Sequence, residues 1–313
     1  MGGAALGVAA LVLGGCATDR DGAATGDAAG PTNTKSSCAS TSQSGQRSIG
    51  TPDGERSYVV SVPTGAVRGV VLDFHGTGGT PASEDAFTRM STSGPAADLL
   101  VLQPQGLGTP TRWTVPGITG PDDQEFVASM LDLVRTEYCL ARDLPVFATG
   151  ISAGAGMSMA LACAGSVTAV APVAGAALVR RCPDGDPVGI LSFHGTTDQA
   201  VPYNGVPGWE DAEQRPRGFF VGAIEPVLAS FADRNGCSAE VDDQVLGPMT
   251  AERRWSDCPA DAPVRLVRVE GGGHNLPGTQ PLIDALGIND QIGPSTPDVD
   301  GAAMIVEFFV SFT

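Results

Sequence analysis

The sequence predicts an α/β protein with a mostly parallel central sheet and helices packed on both of its faces. Short apolar runs alternate along the chain with longer segments of helical spacing, and this alternation is typical of βαβ units. The apolar runs are almost continuously hydrophobic, as expected of strands that are buried on both faces. In such sheets, chemistry is expected at the carboxyl ends of the strands.

The elements follow in chain order. Predicted strands cover residues 56–62 (an edge strand), 69–74, 99–103, 146–149, 169–173, 190–193 and 264–269. Predicted helices cover residues 122–138, 154–164, 224–234 and 302–309. In the first helix the apolar side chains share one face, behind an acidic start at Asp122 and Asp123. The helix over 154–164 is built of small residues, which allows close packing against a sheet.

Composition and charge exclude one class of partner. The chain has 313 residues and a formal net charge of −17, from 35 acidic and 18 basic residues. Binding to nucleic acid requires clustered Lys and Arg, and the sequence has no basic stripe. We therefore expect no nucleic-acid partner and assign the acidity to solubility. The hydrophobic fraction of 42% is enough for a sizeable core.

The N-terminal segment 1–16 has the pattern of a signal peptide. Its uncharged run over 3–15 is too short to span a bilayer as a stable helix. The run ends in small residues followed by Cys16, which resembles a bacterial lipobox. This pattern predicts an exported, cell-surface protein that meets the membrane only through a lipid on Cys16. A plain secretory signal with an incidental cysteine is the alternative.

A polar segment separates this leader from the folded part. Residues 17–48 contain no Val, Ile, Leu, Met or aromatic residue. Because such a segment cannot bury enough apolar surface to become ordered, it is predicted to be a disordered tether. The catalytic domain is then predicted to span residues 49–313.

The cysteine pattern predicts disulfides rather than a metal site. An even number of cysteines remains after Cys16, namely Cys38, Cys139, Cys163, Cys182, Cys237 and Cys258. In an exported chain this suggests a disulfide framework. Cys237 and Cys258 flank one short acidic stretch and are the expected pair, whereas the other pairings stay open. With three histidines and no CxxC, we expect neither a metal nor a cofactor.

A GxSxG motif at residues 150–154 identifies a candidate nucleophile. It follows the predicted strand 146–149 and opens the small-residue helix. This context is that of a nucleophile elbow, in which a strained turn lifts the serine hydroxyl off the sheet and the glycines permit the tight crossing. We therefore predict that Ser152 is a nucleophile, rather than an idle serine in a glycine-rich turn.

A serine hydroxyl needs a general base, and three histidines are available. In proteins with this elbow, an acid and then a histidine follow the serine along the chain. His274, in a glycine-rich loop after strand 264–269, is the predicted base, with His194 as the alternative. Asp198, in the loop after strand 190–193, is the predicted acid that orients His274. Glu210 and Asp211 are weaker candidates for the acid.

Acyl transfer also requires donors for the oxyanion. One predicted donor is the backbone N–H of Ala153, the residue after the nucleophile. The other is expected from the glycine-rich loop 75–79, with the N–H of Thr77 preferred and that of Gly76 next. His75 is expected to anchor this loop rather than to carry a proton.

The domain resembles the secreted feruloyl esterase and polyhydroxybutyrate depolymerase-like group of α/β-hydrolases, the carbohydrate esterase family 1 type. The motifs that carry the resemblance are DFHGTGG at 73–79, YC at 138–139, GISAG at 150–154, APVAG at 171–175, FHGTTD at 193–198 and GGGHNLPG at 271–278. The resemblance implies an α/β-hydrolase fold and a triad of Ser152, Asp198 and His274. It also implies a disulfide between Cys237 and Cys258.

These patterns together predict an exported serine ester hydrolase that works through an acyl-enzyme. The expected substrates are feruloyl or acetyl esters of polysaccharides, or polyhydroxyalkanoate-type esters, so that polymers are included. Trp113 and Trp209 are candidates for a binding platform, because aromatic rings stack on sugar and phenyl faces. A serine peptidase and a non-catalytic lipoprotein that binds through a hydrolase scaffold are the alternatives.

Overall fold

The structure, a computed structural model, describes residues 43–115, 120–179, 182, 184–206 and 221–313. Its strands are β1 (Gly45–Thr51), β2 (Gly54–Ser61), β3 (Gly69–Phe74), β4 (Leu99–Pro104), β5 (Val146–Ile151), β6 (Ala169–Val173), β7 (Gly189–Gly195), β8 (Val241–Gly247), β9 (Thr250–Trp255) and β10 (Val264–Val269). Its helices are α1 (Pro81–Thr88), α2 (Met90–Ala96), α3 (Asp123–Glu137), α4 (Ala153–Cys163), α5 (Ile224–Asn235), α6 (Gln280–Leu286), α7 (Asn289–Ile292) and α8 (Gly301–Val310).

The strands of the described ranges form one sheet in the order β1-β2-β4-β3-β5-β6-β7-β10-β9-β8. The strands from β4 to β10 in this order are parallel, and β1, β2, β9 and β8 add antiparallel edges. The predicted sheet, mostly parallel with helices on both faces, is therefore confirmed. Most of its predicted strands and helices agree with the observed bounds to within three residues.

Alternation along the parallel strands divides the core into two layers. In β3, Val70 and Leu72 contribute to one apolar cluster, whereas Val71 contributes to the other. The first cluster also contains side chains of α3, α4 and α5, and the second contains those of α2 and α8. Because neighbouring side chains of a strand point to opposite faces, the helices cover both sides of the sheet.

Two expectations about the N-terminal boundary are wrong. Strand β1 begins at Gly45, inside the predicted tether, and it rather than β2 forms the edge of the sheet. Gly45 pairs with Val60 and Thr51 pairs with Gly54. An edge strand is stabilised largely by backbone hydrogen bonds to its neighbour, so the low apolar content of this segment did not prevent pairing. The leader, Cys16 and the rest of the predicted tether lie outside the described residues.

Disulfides join segments around α4 and α5. Cys237 is bonded to Cys258, as expected, and Cys163 is bonded to Cys182. Cys139 is also disulfide-bonded, whereas Cys38 lies outside the described residues. Disulfides are typical of proteins in oxidising compartments. None of the helices within the described ranges has the length and apolar character that crossing a bilayer requires.

Candidate active site

Ser152 lies on a tight turn between β5 and α4. Its backbone has φ 57° and ψ −118°, a conformation that residues other than glycine rarely adopt. Such backbone conformations cluster at functional sites. The turn is crowded against the end of β3, since a Cβ added at Gly150 or Gly154 would lie 2.2 or 1.8 Å from the carbonyl oxygen of Phe74. The Ser152 N–H donates to the carbonyl of Val173 at 2.9 Å. This is the geometry of a nucleophile elbow.

Asp198 and His274 meet because their strands are neighbours. They follow β7 and β10, which run parallel with Gly195 opposite Val269. The Nδ1 atom of His274 lies 2.7 Å from Oδ2 of Asp198. The other carboxylate oxygen, Oδ1, accepts hydrogen bonds of 2.9 Å from the N–H groups of Ala200 and Val201. The aspartate is thus held from both sides.

The surroundings of Asp198 favour its ionised form. Burial raises the pKa of this carboxyl, but hydrogen bonds from His194 and His274, together with that from the Val201 N–H, outweigh burial and hold the pKa well below its usual range. An ionised Asp198 accepts a hydrogen bond from the Nδ1–H group of His274. The Nε2 atom of His274 is then free to accept a proton.

One cavity of about 240 Å³ brings Ser152 and His274 together. It is also lined by Gly76, Thr77, Gly79, Ser83, Glu84, Phe87, Ile151, Ile288 and Ile292. The predicted nucleophile, the predicted base and the predicted oxyanion loop therefore share one space, with Asp198 behind the base. Much of the wall is apolar, contributed by aromatic and branched side chains.

The ring of His75 anchors the oxyanion loop. Its Nε2 atom accepts the Gly106 N–H at 2.9 Å and lies 3.0 Å from the Gln105 amide nitrogen. Because both of these groups are donors, the ring proton is on Nδ1, which donates to the carbonyl of Gly76 at 2.7 Å. Burial lowers the pKa of His75, which favours this neutral form. These contacts fit the expected role as an anchor.

Two backbone N–H groups are the candidates for the oxyanion donors. Ala153 is the first residue of α4, so its N–H has no partner within the helix. Among the described residues, neither the Ala153 N–H nor the Thr77 N–H has a hydrogen-bond acceptor. The backbone of Gly76, by contrast, faces the carboxyl of Glu84. Thr77 therefore stays the preferred second donor, with Gly76 as the alternative.

His194 contacts Asp198 but not the cavity. Its Nε2 atom lies 3.3 Å from Oδ2 of Asp198 and 2.8 Å from the carbonyl oxygen of Val201. The ring is 1% exposed and does not line the space beside Ser152. The structure therefore gives His274, rather than His194, access to the candidate nucleophile.

The expected binding platform does not form at Trp113. This side chain is only 3% exposed, its Nε1 donates to the carbonyl of His75 at 2.7 Å, and its ring packs edge-on against Phe74. A ring that is buried in this way cannot stack on a sugar, so the prediction for Trp113 is wrong. Trp209, Glu210 and Asp211 lie outside the described residues.

Sequence reasoning missed Glu84, which is 3% exposed and lines the cavity. It belongs to α1, a helix that the apolar spacing did not indicate, and no motif marks it. No cluster of His, Cys, Asp and Glu with the arrangement of a metal site occurs in the part of the chain that the structure describes.

The strand order and the elbow define the α/β-hydrolase fold, which confirms the predicted fold class. The fold is shared with a solved acetyl xylan esterase from Aspergillus awamori, at a TM-score of 0.54 and 15% identity over 77% of this chain and 98% of that one.

In sequence, the chain is 31% identical to feruloyl esterase B of Piromyces equi over 171 residues, which are 52% of this chain and 31% of that protein. It is 28% identical to a probable feruloyl esterase C of Aspergillus niger over 179 residues, 56% of each. The chain thus spans about half or less of the curated relatives' lengths. No family model matches it. The predicted resemblance to feruloyl esterases is confirmed.

Proposed function

We propose that this chain is an exported serine carboxylic-ester hydrolase that acts through an acyl-enzyme. The observation that carries the proposal is the shared cavity of Ser152 and His274, with Nδ1 of His274 2.7 Å from Asp198. Similarity to feruloyl esterases supports an ester, rather than a peptide, as the bond that is cleaved.

The mechanism is two-step acyl transfer. The Oγ of Ser152 attacks the ester carbonyl carbon while Nε2 of His274 takes the hydroxyl proton. The N–H groups of Ala153 and Thr77 stabilise the oxyanion, and the ionised Asp198 stabilises the imidazolium. The alcohol leaves with the proton from His274. A water molecule, deprotonated by His274, then attacks the acyl carbon. The bond to Oγ of Ser152 breaks, the acid is released, and His274 returns the proton to Oγ.

The proposed substrates are feruloyl or acetyl esters of polysaccharides. Phe87, Ile288 and Ile292 give the cavity apolar walls suited to the acyl group. The names of the similar proteins, feruloyl and acetyl xylan esterases, support this class. Polyhydroxyalkanoate-type esters are the second candidate, because they also present an ester next to an aliphatic chain.

The proposed location is the cell surface, with a lipid anchor on Cys16. The disulfides Cys163–Cys182 and Cys237–Cys258 support export, because such bonds persist in oxidising compartments. Replacing Cys16 by Ala in cells should move the protein from the membrane fraction to the soluble fraction. A protein that stays membrane-bound as C16A would exclude the anchor.

Hydrolysis of a small panel of esters tests the proposed function. The purified protein would be assayed with p-nitrophenyl acetate, methyl ferulate, acetylated xylan and a polyhydroxybutyrate emulsion, and labelled with a fluorophosphonate. Ser152→Ala should abolish turnover and labelling. Ser158→Ala is a matched control, because Ser158 lies on the same helix with its hydroxyl bonded to the carbonyl of Gly154 at 3.0 Å. Full activity in S152A, or an inert wild type, would overturn the proposal.

A further inference from the structure

Glu84 joins the two segments that are expected to supply the oxyanion donors. Its Oε1 atom accepts the N–H of Ile151, the residue before the nucleophile, at 3.0 Å. The same carboxyl faces the backbone of Gly76, the residue before Thr77. The two segments touch here, because a Cβ added at Gly76 would lie 3.4 Å from the Ile151 carbonyl oxygen and 3.5 Å from Cβ of Ser152. One side chain therefore connects the elbow to the oxyanion loop.

Among the described residues, no cation pairs with the carboxyl of Glu84. The salt bridges of the described ranges include none to Glu84. Burial raises the pKa of Glu84 well above its usual value, and the charges of Asp73 and Asp85 raise it further. These surroundings favour the protonated form, in which one oxygen accepts and the hydroxyl donates. No anion then lies beside the site where negative charge develops.

A buried acid without a cation is costly, and an apolar residue of similar volume would fill the space at lower cost. Packing therefore does not account for Glu84. Its carboxyl contacts two backbone groups, one next to the nucleophile and one next to the expected second donor. An oxyanion site depends on donors that are held at a fixed spacing before the reaction begins.

We propose that Glu84 is a positioning residue for acyl transfer, whose carboxyl connects the N–H of Ile151 to the backbone of Gly76 and so fixes the Ala153 and Thr77 donors relative to each other. The inference rests on the proposed esterase function. In this role Glu84 acts on the backbone and not on a reacting atom. It acts by holding the elbow and the loop 75–79 in register.

Three variants of similar size test the role. Glu84→Gln keeps a carbonyl acceptor and a donor, as the protonated acid does, whereas Glu84→Leu keeps the volume and removes both. E84L should lower kcat on p-nitrophenyl acetate about 100-fold, as the loss of an oxyanion donor does, with KM within about threefold. E84Q should recover at least about tenfold of that loss. Asp85→Asn is the control, because Asp85 bonds Ser91 and Gln103 rather than the elbow. Burial, the main cause of the raised pKa of Glu84, is unchanged in this variant.

Fluorophosphonate labelling of Ser152 gives a second measurement and should slow in E84L but not in D85N. An unchanged kcat in E84L, a failure of E84Q to recover activity, or an equal loss in D85N would overturn the inference while the wild type remains an active esterase. A wild type that neither turns over nor labels would overturn the proposed function and this inference with it. If E84L does not fold, Glu84→Asp replaces it, because this variant withdraws the carboxyl by one methylene. E84D should then show the fall in kcat. A wild-type kcat in E84D would contradict the inference.

Discussion

Nε2 of His194 lies 3.3 Å from Oδ2 of Asp198, the same oxygen that faces Nδ1 of His274 at 2.7 Å. Nε2 also lies 2.8 Å from the carbonyl oxygen of Val201. Because both neighbours are acceptors, the proton of His194 must be on Nε2. His194 is therefore a donor that holds the carboxylate from behind, whereas His274 stands between that carboxylate and the cavity.

The two histidines should differ sharply when each is replaced. His274→Ala should lower kcat for p-nitrophenyl acetate by about 10⁴-fold, because the general base is lost. His194→Ala removes one hydrogen bond to a charged group and should cost about tenfold. Steady-state kinetics of both purified variants provide the measurement. If H194A were the more damaging change, the two roles would have to be exchanged.

The residues of the candidate triad could be predicted from the sequence, because their order along the chain and their positions after predicted strands both indicate them. The motif at 150–154, the acid after one strand and the histidine after a later strand each follow a recognisable apolar run. Sequence spacing does not show that β7 and β10 are neighbours. The order of serine, acid and histidine along the chain was enough to pair Asp198 with His274 without that knowledge.

Other features depend on contacts that leave no local pattern. Strands β1 and β8 are antiparallel edges with several exposed residues, so their sequences lack the apolar runs of the buried strands. Strand β9 pairs with β8 and alternates between more and less buried residues, so it lacks such a run as well. The role of Trp113 is decided by the carbonyl of His75, which is remote in sequence. Glu84 acquires its surroundings only when α1 packs beside the elbow. Tertiary contacts, rather than periodicity, determine these features.

Asp73 should make the stability of the fold depend on pH. Burial raises the pKa of this carboxyl from 3.8 to about 6, although hydrogen bonds from Gln103 and Thr88 lower it. The folded state thus holds a proton between these values that the unfolded chain has lost, so this group makes the protein less stable as pH rises through that window. Asp73→Asn should therefore raise the free energy of unfolding more at pH 8 than at pH 4, by about 2 to 3 kcal/mol.

Urea denaturation of D73N and the wild type at both pH values would provide the comparison. The amide introduced by D73N keeps an oxygen that can accept from Gln103 and Thr88. The loss of those hydrogen bonds therefore does not contribute to the measured difference in unfolding free energy. An Asp73→Asn effect that is the same at pH 4 and pH 8 would show that the folded and unfolded states bind this proton equally.

The disulfide between Cys237 and Cys258 should contribute to stability but not to catalysis. It closes a loop of 21 residues that contains the hairpin, and neither cysteine lines the cavity of Ser152. The double variant C237S/C258S should lose about 3 kcal/mol of unfolding free energy, because the unfolded chain regains conformational freedom. Its kcat at 20 °C should match that of the wild type. A fall in kcat without a fall in stability would mean that the hairpin influences the site.

Two glycines of α4 provide a matched test of the elbow. A Cβ on residue 154 would lie 1.8 Å from the carbonyl oxygen of Phe74, whereas one on residue 156 would lie 3.3 Å from Cβ of Leu178. Gly154→Ala must therefore push α4 away from the end of β3, where the oxyanion loop begins. Overpacking of this kind costs about 1–3 kcal/mol of stability. Activity should fall by a larger factor, about 100-fold, because an oxyanion donor moves with the backbone.

Gly156→Ala should have little effect on either property. The contact with Cβ of Leu178 at 3.3 Å requires a shift of only a few tenths of an ångström. Alanine favours a helix interior over glycine by about 1 kcal/mol, which offsets this crowding. Thermal unfolding and kcat on p-nitrophenyl acetate would be measured for both variants. If G154A and G156A behaved alike, the close approach of Gly154 to Phe74 would not be what sets the elbow. A selective loss in G154A would instead tie the activity to this backbone crossing, because the two substitutions add the same methyl group to the same helix.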